Sequence, residues 1–240
     1  MSKEWFKDWF DENYKLLYRH RDMKDAENQV ELILRVVRPD RDWRILDLAC
    51  GEGRHSTFFK DRGFDITGID LSKTLIDIGR EKFPGLKLIE CDMRNIPGSY
   101  DMILSLFTSF GYFEEEKEDV KVLSEVYNSL NSGGVFWFDF LNENYVRKNL
   151  NDRKTEKTID DIKITEEKSI VDNRVNKRIF FLSSAGSREY TESVRLYSKE
   201  ELTMMLDETG FNIINVFGDY LGNDWNSGSE RSIFYCNKTG

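Results

Sequence analysis

Arg44-Ile-Leu-Asp-Leu-Ala-Cys-Gly-Glu-Gly53 carries the reading of the whole chain. A short apolar run ends in a glycine turn, the pattern of a buried β-strand feeding a tight loop. Glycines there permit sharp backbone turns and let a ligand reach main-chain N–H groups with no Cβ in the way. Asp70 ends a second apolar segment, 19 residues after Gly51, the spacing of a carboxylate that receives two ribose hydroxyls. The pair predicts an adenosine-cofactor site at the carboxyl ends of parallel strands. Spacing alone leaves open a degenerate dinucleotide fingerprint, Gly51-x-Gly53-x-x-Ser56. Asp47, inside the first strand, separates the two, because its charge repels a pyrophosphate and attracts a sulfonium with its α-ammonium group.

Outward from this stretch the chain is read in both directions. Before it, residues 4–20 have an amphipathic helical pattern (Phe6, Trp9, Phe10, Tyr14, Leu17, Tyr18), and a second helix is expected over 25–37, stopped by Pro39. After it, helices at 54–62, from Ser72 onward and at 114–130 alternate with strands at 65–69, 86–90, 101–106 and 135–140. In the helix 114–130, Val120, Leu123, Val126, Tyr127 and Leu130 are expected to face inward, and Asn131–Gly134 is expected to be a turn. Such alternation indicates a parallel sheet covered on both faces. Residues 151–197 switch to period two, predicting a three-stranded antiparallel meander with turns at Asp172-Asn173 and Ala185-Gly186. A capping box, Ser198 to Glu201, opens a helix that Gly210 stops, and strands 211–217 and 231–237 flank the loop Gly218–Glu230.

The expected organisation is an N-terminal helical cap (1–40), one α/β domain (41–150 with 198–240) and an inserted antiparallel β element (151–197). That insert reads as a lid on the substrate side, with a dimer surface as the alternative, and Arg195 and Tyr197 as its polar contacts. The 240 residues carry 35 basic against 44 acidic side chains, a net charge of −9 that argues against a nucleic-acid partner. Cys50, Cys91 and Cys236 lack CxxC spacing and read as reduced thiols of a cytoplasmic protein. His20 and His55 form no metal-ligand pair, so no metal is expected. No stretch approaches the roughly 18 apolar residues of a membrane span, and the charged N-terminus is unlike a secretory signal.

Four segments together resemble successive motifs of the class I S-adenosylmethionine-dependent methyltransferases: Ile45–Ser56, Gly68-Ile-Asp-Leu-Ser72, Cys91-Asp-Met-Arg94 and Tyr100-Asp-Met-Ile-Leu-Ser-Leu106. The likeness extends to stand-alone bacterial small-molecule members with an N-terminal helical cap and a Leu106–Tyr112-type run. It implies a doubly wound α/β fold with a seven-stranded, mostly parallel, Rossmann-like sheet, and S-adenosyl-L-methionine as cofactor with S-adenosyl-L-homocysteine as product. It further implies that Asp47, Ala49, Gly51 and Gly53 surround the methionyl part and Asp70 holds the ribose. Leu71, Asp92 and Met93 are then set against the adenine, and Leu106 beside the sulfonium. Tyr18, counted with the cofactor residues, Tyr14 and Arg21 either close over the cofactor's carboxylate or the substrate, or belong to a helix that simply packs its apolar stripe. Ala49 departs from the glycine that the family often has there.

No His–Asp or Cys–His pair marks a catalytic residue; the candidates are His55, Tyr112, Arg195 and Tyr197. Phe107, Phe110, Tyr112 and Phe113 are equally core material or an aromatic wall that attracts a sulfonium. The Asn/Asp-Pro-Pro-Tyr motif of exocyclic-amine methylases is absent, which with the acidic charge points to methylation of an O, N or C atom of a small molecule, with a protein acceptor left open; a monomer or homodimer is expected. The competing readings are a nicotinamide-dependent oxidoreductase, for which no Tyr-x-x-x-Lys dyad is found near a suitable helix, and a non-catalytic cofactor-binding protein.

Overall fold

The computed structural model describes residues 5–10, 12–18, 23–150, 153–184 and 186–239. Three helices, α1 (Phe6–Trp9), α2 (Glu12–Leu17) and α3 (Met23–Val37), precede the central strand β1 (Arg44–Leu48). There follow α4 (Ser56–Asp61), β2 (Asp65–Asp70), α5 (Lys73–Lys82), β3 (Lys87–Glu90), β4 (Tyr100–Ser105), α6 (Glu116–Ser129), β5 (Leu130–Leu141) and α7 (Glu143–Asn149). A run of strands, β6 (Arg153–Ile159), β7 (Ile162–Val171), β8 (Arg174–Ser183) and β9 (Gly186–Arg195), leads to α8 (Lys199–Thr209), β10 (Phe211–Phe217) and β11 (Arg231–Lys238). One sheet has the order β10-β11-β5-β4-β1-β2-β3, parallel from β3 to β5, with β11 antiparallel to both neighbours. The expected doubly wound, mostly parallel seven-stranded fold is the one observed.

Both faces of this sheet are buried, which is why its strands read as near-continuous apolar runs. Leu46, Leu48, Ile103, Phe136, Phe138 and Phe140 pack under Val122, Leu123 and Val126 of α6 and Leu202 and Leu206 of α8. The alternate positions Ile45, Met102, Leu104, Val135 and Trp137 pack on the other side, with Val30 and Ile33 of α3, Phe59 of α4 and Ile76 of α5. In α6 the buried stripe is Asp119, Val122, Leu123 and Val126, so Val120, expected inside, is 38% exposed. An acid takes the inward place because it accepts hydrogen bonds from the Gly111 N–H (3.2 Å) and the Tyr197 hydroxyl (2.8 Å). Asn131–Gly134 is absorbed into β5 as an irregularity, the register passing from Tyr100↔Leu130 to Met102↔Val135.

The insert has four strands instead of three, paired antiparallel in the order β6-β7-β8-β9. Asp160 and Asp161, both at positive φ (47° and 63°), make the additional hairpin turn, as Asp172 and Asn173 do (51° and 55°). The cap departs from one continuous helix. It divides at Phe10, whose carbonyl accepts a hydrogen bond from the Ser72 hydroxyl at 2.8 Å. That hydroxyl also caps α5 by accepting from the Leu75 N–H. Trp9 and Leu17 of the cap bury themselves against Ile164, Ile179 and Phe181 of the smaller sheet, a third apolar cluster. Among the described residues no helix is long and apolar enough to cross a membrane.

Candidate active site

The loops at the carboxyl ends of β1, β2, β3 and β4 open into a cavity of about 350 Å³ that the cap and β9 roof over. Its floor begins with two buried carboxylates. Asp47 of β1 accepts a 2.6 Å hydrogen bond from the Ser56 hydroxyl. Burial, against the relief from Ser56 and with the Asp70 charge adding to it, raises the Asp47 carboxyl to about 7. Asp70 ends β2 and accepts 2.8 Å bonds from the Gly51 and Ser72 N–H groups, one on each oxygen. Burial raises its carboxyl as well, and those two N–H donors oppose the shift.

The turn between them is held in left-handed backbone: φ is 55° at Ala49, 59° at Gly51 and 83° at Gly53. Gly51 borders the cavity and Gly53 does not. A Cβ on Gly53 would lie 2.7 Å from Leu86 Cδ2, so this glycine serves the packing of the turn on β3. Leu71, Asp92, Met93 and Leu106 line the cavity further along, and Asp92 is engaged by Arg94 (2.6 Å), which also reaches Glu118 (2.7 Å).

The opposite wall is aromatic. Trp5, Phe10, Tyr14, Tyr18 and Tyr112 all border the cavity, with ring centroids 5.0 Å apart for Trp5–Tyr112, 4.8 Å for Phe10–Tyr14 and 4.7 Å for Tyr14–Tyr18. Glu192 and Val194 of β9 complete it. Glu192 Oε1 accepts from the Trp9 indole N–H and the Tyr18 hydroxyl, both at 2.7 Å. Lys177, buried and paired with Glu166 at 2.5 Å, donates to the same Tyr18 oxygen at 2.8 Å.

This arrangement has known counterparts. Residues 45–134, the stretch from β1 to the irregularity in β5, match a family described as "Methyltransferase domain". The chain thus carries a methyltransferase domain on the class I methyltransferase fold. The Bacillus subtilis (strain 168) protein YqeM, grouped by its name with the methyltransferases, is 26% identical over 212 residues, 82% of this chain and 84% of its own. A glycine/sarcosine N-methyltransferase of Halorhodospira halochloris is 32% identical over 122 residues, 48% of this chain and 46% of its own. A solved S-adenosylmethionine-dependent methyltransferase from Clostridium acetobutylicum ATCC 824 shares the fold, with a TM-score of 0.82 at 23% identity, over 95% of this chain and 97% of that one.

Of the residues expected to act in this methyltransferase, the structure brings Tyr18, Asp47, Ala49, Gly51, Asp70, Leu71, Asp92, Met93, Leu106, His55 and Tyr112 to one cavity. His55 is buried with its Nε2 2.6 Å from Gln29 Oε1. Arg195 and Tyr197 are corrected, since neither borders the cavity. Tyr197 points into the core, where its hydroxyl donates to Asp119 and its ring packs on Phe110. Arg195 donates to the Glu114 carbonyl at 2.7 Å. Arg21 lies outside the described residues. Glu192 was not anticipated, because a lone acid in a polar strand carries no signal. Asp139 had one: an acid between Phe138 and Phe140 needs a partner. It finds Arg231 (2.7 Å), the Tyr220 hydroxyl (2.6 Å) and the Phe107 N–H (2.9 Å).

Proposed function

We propose that this enzyme binds S-adenosyl-L-methionine in the cavity, transfers its methyl group to an O, N or C atom of a small molecule and releases S-adenosyl-L-homocysteine. The reading is carried by the buried carboxylate pair Asp47 and Asp70 facing one cavity. Their desolvated charge is favoured by a cationic ligand that brings hydroxyl donors, and disfavours a pyrophosphate. Each Asp70 oxygen accepts one backbone N–H, and a carboxylate oxygen has a second lone pair for a ribose hydroxyl. Asp47, Ala49 and Gly51 would then hold the methionyl part, Leu71, Asp92 and Met93 the adenine, Leu106 the region of the sulfonium, and Tyr18 the cap side. Gly53 contributes by shaping the turn.

When bound, the cofactor supplies a methyl carbon on positively charged sulfur, open to in-line displacement. The work of the chain is to hold the acceptor on that line and keep water out. Trp5, Phe10, Tyr112 and Val194 supply an apolar roof for this. The cap (1–40), the α/β domain (41–150 with 198–240) and the 151–197 element are assigned the roles of roof, cofactor platform and lid. A glycine/sarcosine N-methyltransferase among the relatives and a sugar N-methyltransferase from Streptoalloteichus sp. ATCC 53650 among the structural counterparts act on small molecules by their names. The net charge of −9 favours the same acceptor size over nucleic acid, and three free thiols favour a cytoplasmic location.

Thermal shift with excess S-adenosylmethionine, S-adenosylhomocysteine and NAD(H) tests the cofactor. The first two are expected to raise the Tm, and a shift with NAD(H) alone overturns the reading. Asp70→Ala is expected to abolish the S-adenosylhomocysteine shift while circular dichroism stays native. An unchanged shift removes Asp70 from the site.

A further inference from the structure

The cavity's acids differ in how they are used. Asp47 takes the Ser56 hydroxyl, Glu52 pairs with Lys82 at 2.6 Å, Asp70 takes two N–H groups and Asp92 pairs with Arg94. These four belong to the strands of the large sheet and the loops that follow them. Glu192 comes from the smaller sheet, and both of its hydrogen bonds, from Trp9 and Tyr18, fall on Oε1. Oε2 has no hydrogen-bond partner among the described residues, although the side chain borders the cavity. Lys177 is spent on Glu166 and on the Tyr18 hydroxyl. A carboxylate left with one oxygen open beside a row of aromatic rings suits a nitrogen that carries hydrogen and takes positive charge. At the other end of that row, the Trp5 indole N–H is buried with no partner, and an indole nitrogen can only donate.

Resting on the methyltransferase reading above, we propose that the methyl acceptor is an amine that also bears a hydroxyl or carbonyl oxygen, with Glu192 Oε2 receiving the amine N–H and the Trp5 N–H meeting the oxygen. An acceptor arriving as an ammonium ion must lose one proton before its nitrogen can react. At Oε2 the N–H bond breaks with its electron pair left on nitrogen, and the proton passes to the carboxylate and on to solvent. Tyr18 and Trp9 occupy Oε1, which leaves Oε2 for the acceptor.

The test uses the full-length enzyme saturated with S-adenosylhomocysteine and a thermal-shift panel of amino alcohols and amino sugars, each paired with its hydroxyl counterpart (D-glucosamine with D-glucose, for example). Members that stabilise the protein are then titrated calorimetrically. The expected result is that amines bind at least about tenfold more tightly than their hydroxyl partners, the size of one charge-assisted hydrogen bond. Glu192→Gln, which keeps an oxygen for Trp9 and Tyr18 and turns the open position into a donor, is expected to erase that preference with S-adenosylhomocysteine affinity within twofold. Trp5→Phe is expected to weaken amino alcohols several-fold more than amines without the oxygen. A panel in which only neutral or anionic members bind, or none binds, overturns the proposal, as does an amine preference that survives Glu192→Gln. Failure of the methyltransferase reading is distinguished by the absence of any S-adenosylhomocysteine shift in the wild type.

Discussion

Asp47 sets the charge state of the cavity floor. Its carboxyl is raised from 3.8 to about 7 by burial, so the fold favours the protonated form. The associated stability is fully present below about pH 4 and is lost as pH rises through about 7. A cationic ligand favours the ionised form instead. S-adenosylhomocysteine, through its α-ammonium, is therefore expected to bind more tightly as pH rises from about 5.5 to 7.5 and then level off, with proton release in calorimetry below pH 7. A flat profile that Asp47→Asn leaves unchanged removes Asp47 from the ligand. Two residues on, Ala49 stands at φ 55°, a conformation that costs an alanine on the order of 1 kcal/mol and a glycine little. Ala49→Gly is expected to raise apoprotein stability by about 0.5–1 kcal/mol in urea melts, net of the greater freedom of glycine in the unfolded chain. The carboxylates and turn were legible because each occupies a fixed spacing on a strongly apolar frame. Glu192 was illegible because its place depends on a β9 whose burial pattern shows no buried position.

At the scale of elements, Arg174 of β8 ties the smaller sheet to the cavity wall. Its guanidinium donates to the carbonyls of Gly111 (3.1 Å), Tyr112 (3.2 Å), Phe113 (3.0 Å) and Ser193 (2.9 Å). Arg174→Met keeps the stem and deletes the head, withdrawing a charged donor from these carbonyls, of which Gly111 O keeps the Arg195 N–H. It is expected to cost about 2–3 kcal/mol in urea melts and to raise the KM of the acceptor several-fold, with S-adenosylhomocysteine affinity within twofold. Loss of cofactor affinity instead contradicts its role as a tie between the smaller sheet and the cavity wall. Elements with one buried face declared themselves in the sequence: α3, α5, the capping box of α8 and the Asp172-Asn173 turn. Those missed lacked such a face. β6, Arg-Lys-Thr-Glu-Lys-Thr-Ile, is polar on both sides, and α7 buries no residue. The break at Phe10 interrupts a pattern whose period is helical throughout, because a distant serine, not the local sequence, decides it.

Across the whole molecule, both sheets and the cap border one cavity, the cap touching β9 on one side and the loop after β2 on the other. S-adenosylhomocysteine is expected to slow amide exchange together in residues 6–17, at the start of α5 and along β9. Protection confined to the glycine turn and Asp70 contradicts that coupling. The Ser72 N–H steadies Asp70, its side chain starts α5, and its hydroxyl proton ties down the bend of the cap. One serine therefore joins the end of β2, the start of α5 and the cap, so Ser72→Ala is expected to loosen all three together, read as faster amide exchange at Asp70, at the start of α5 and in α1.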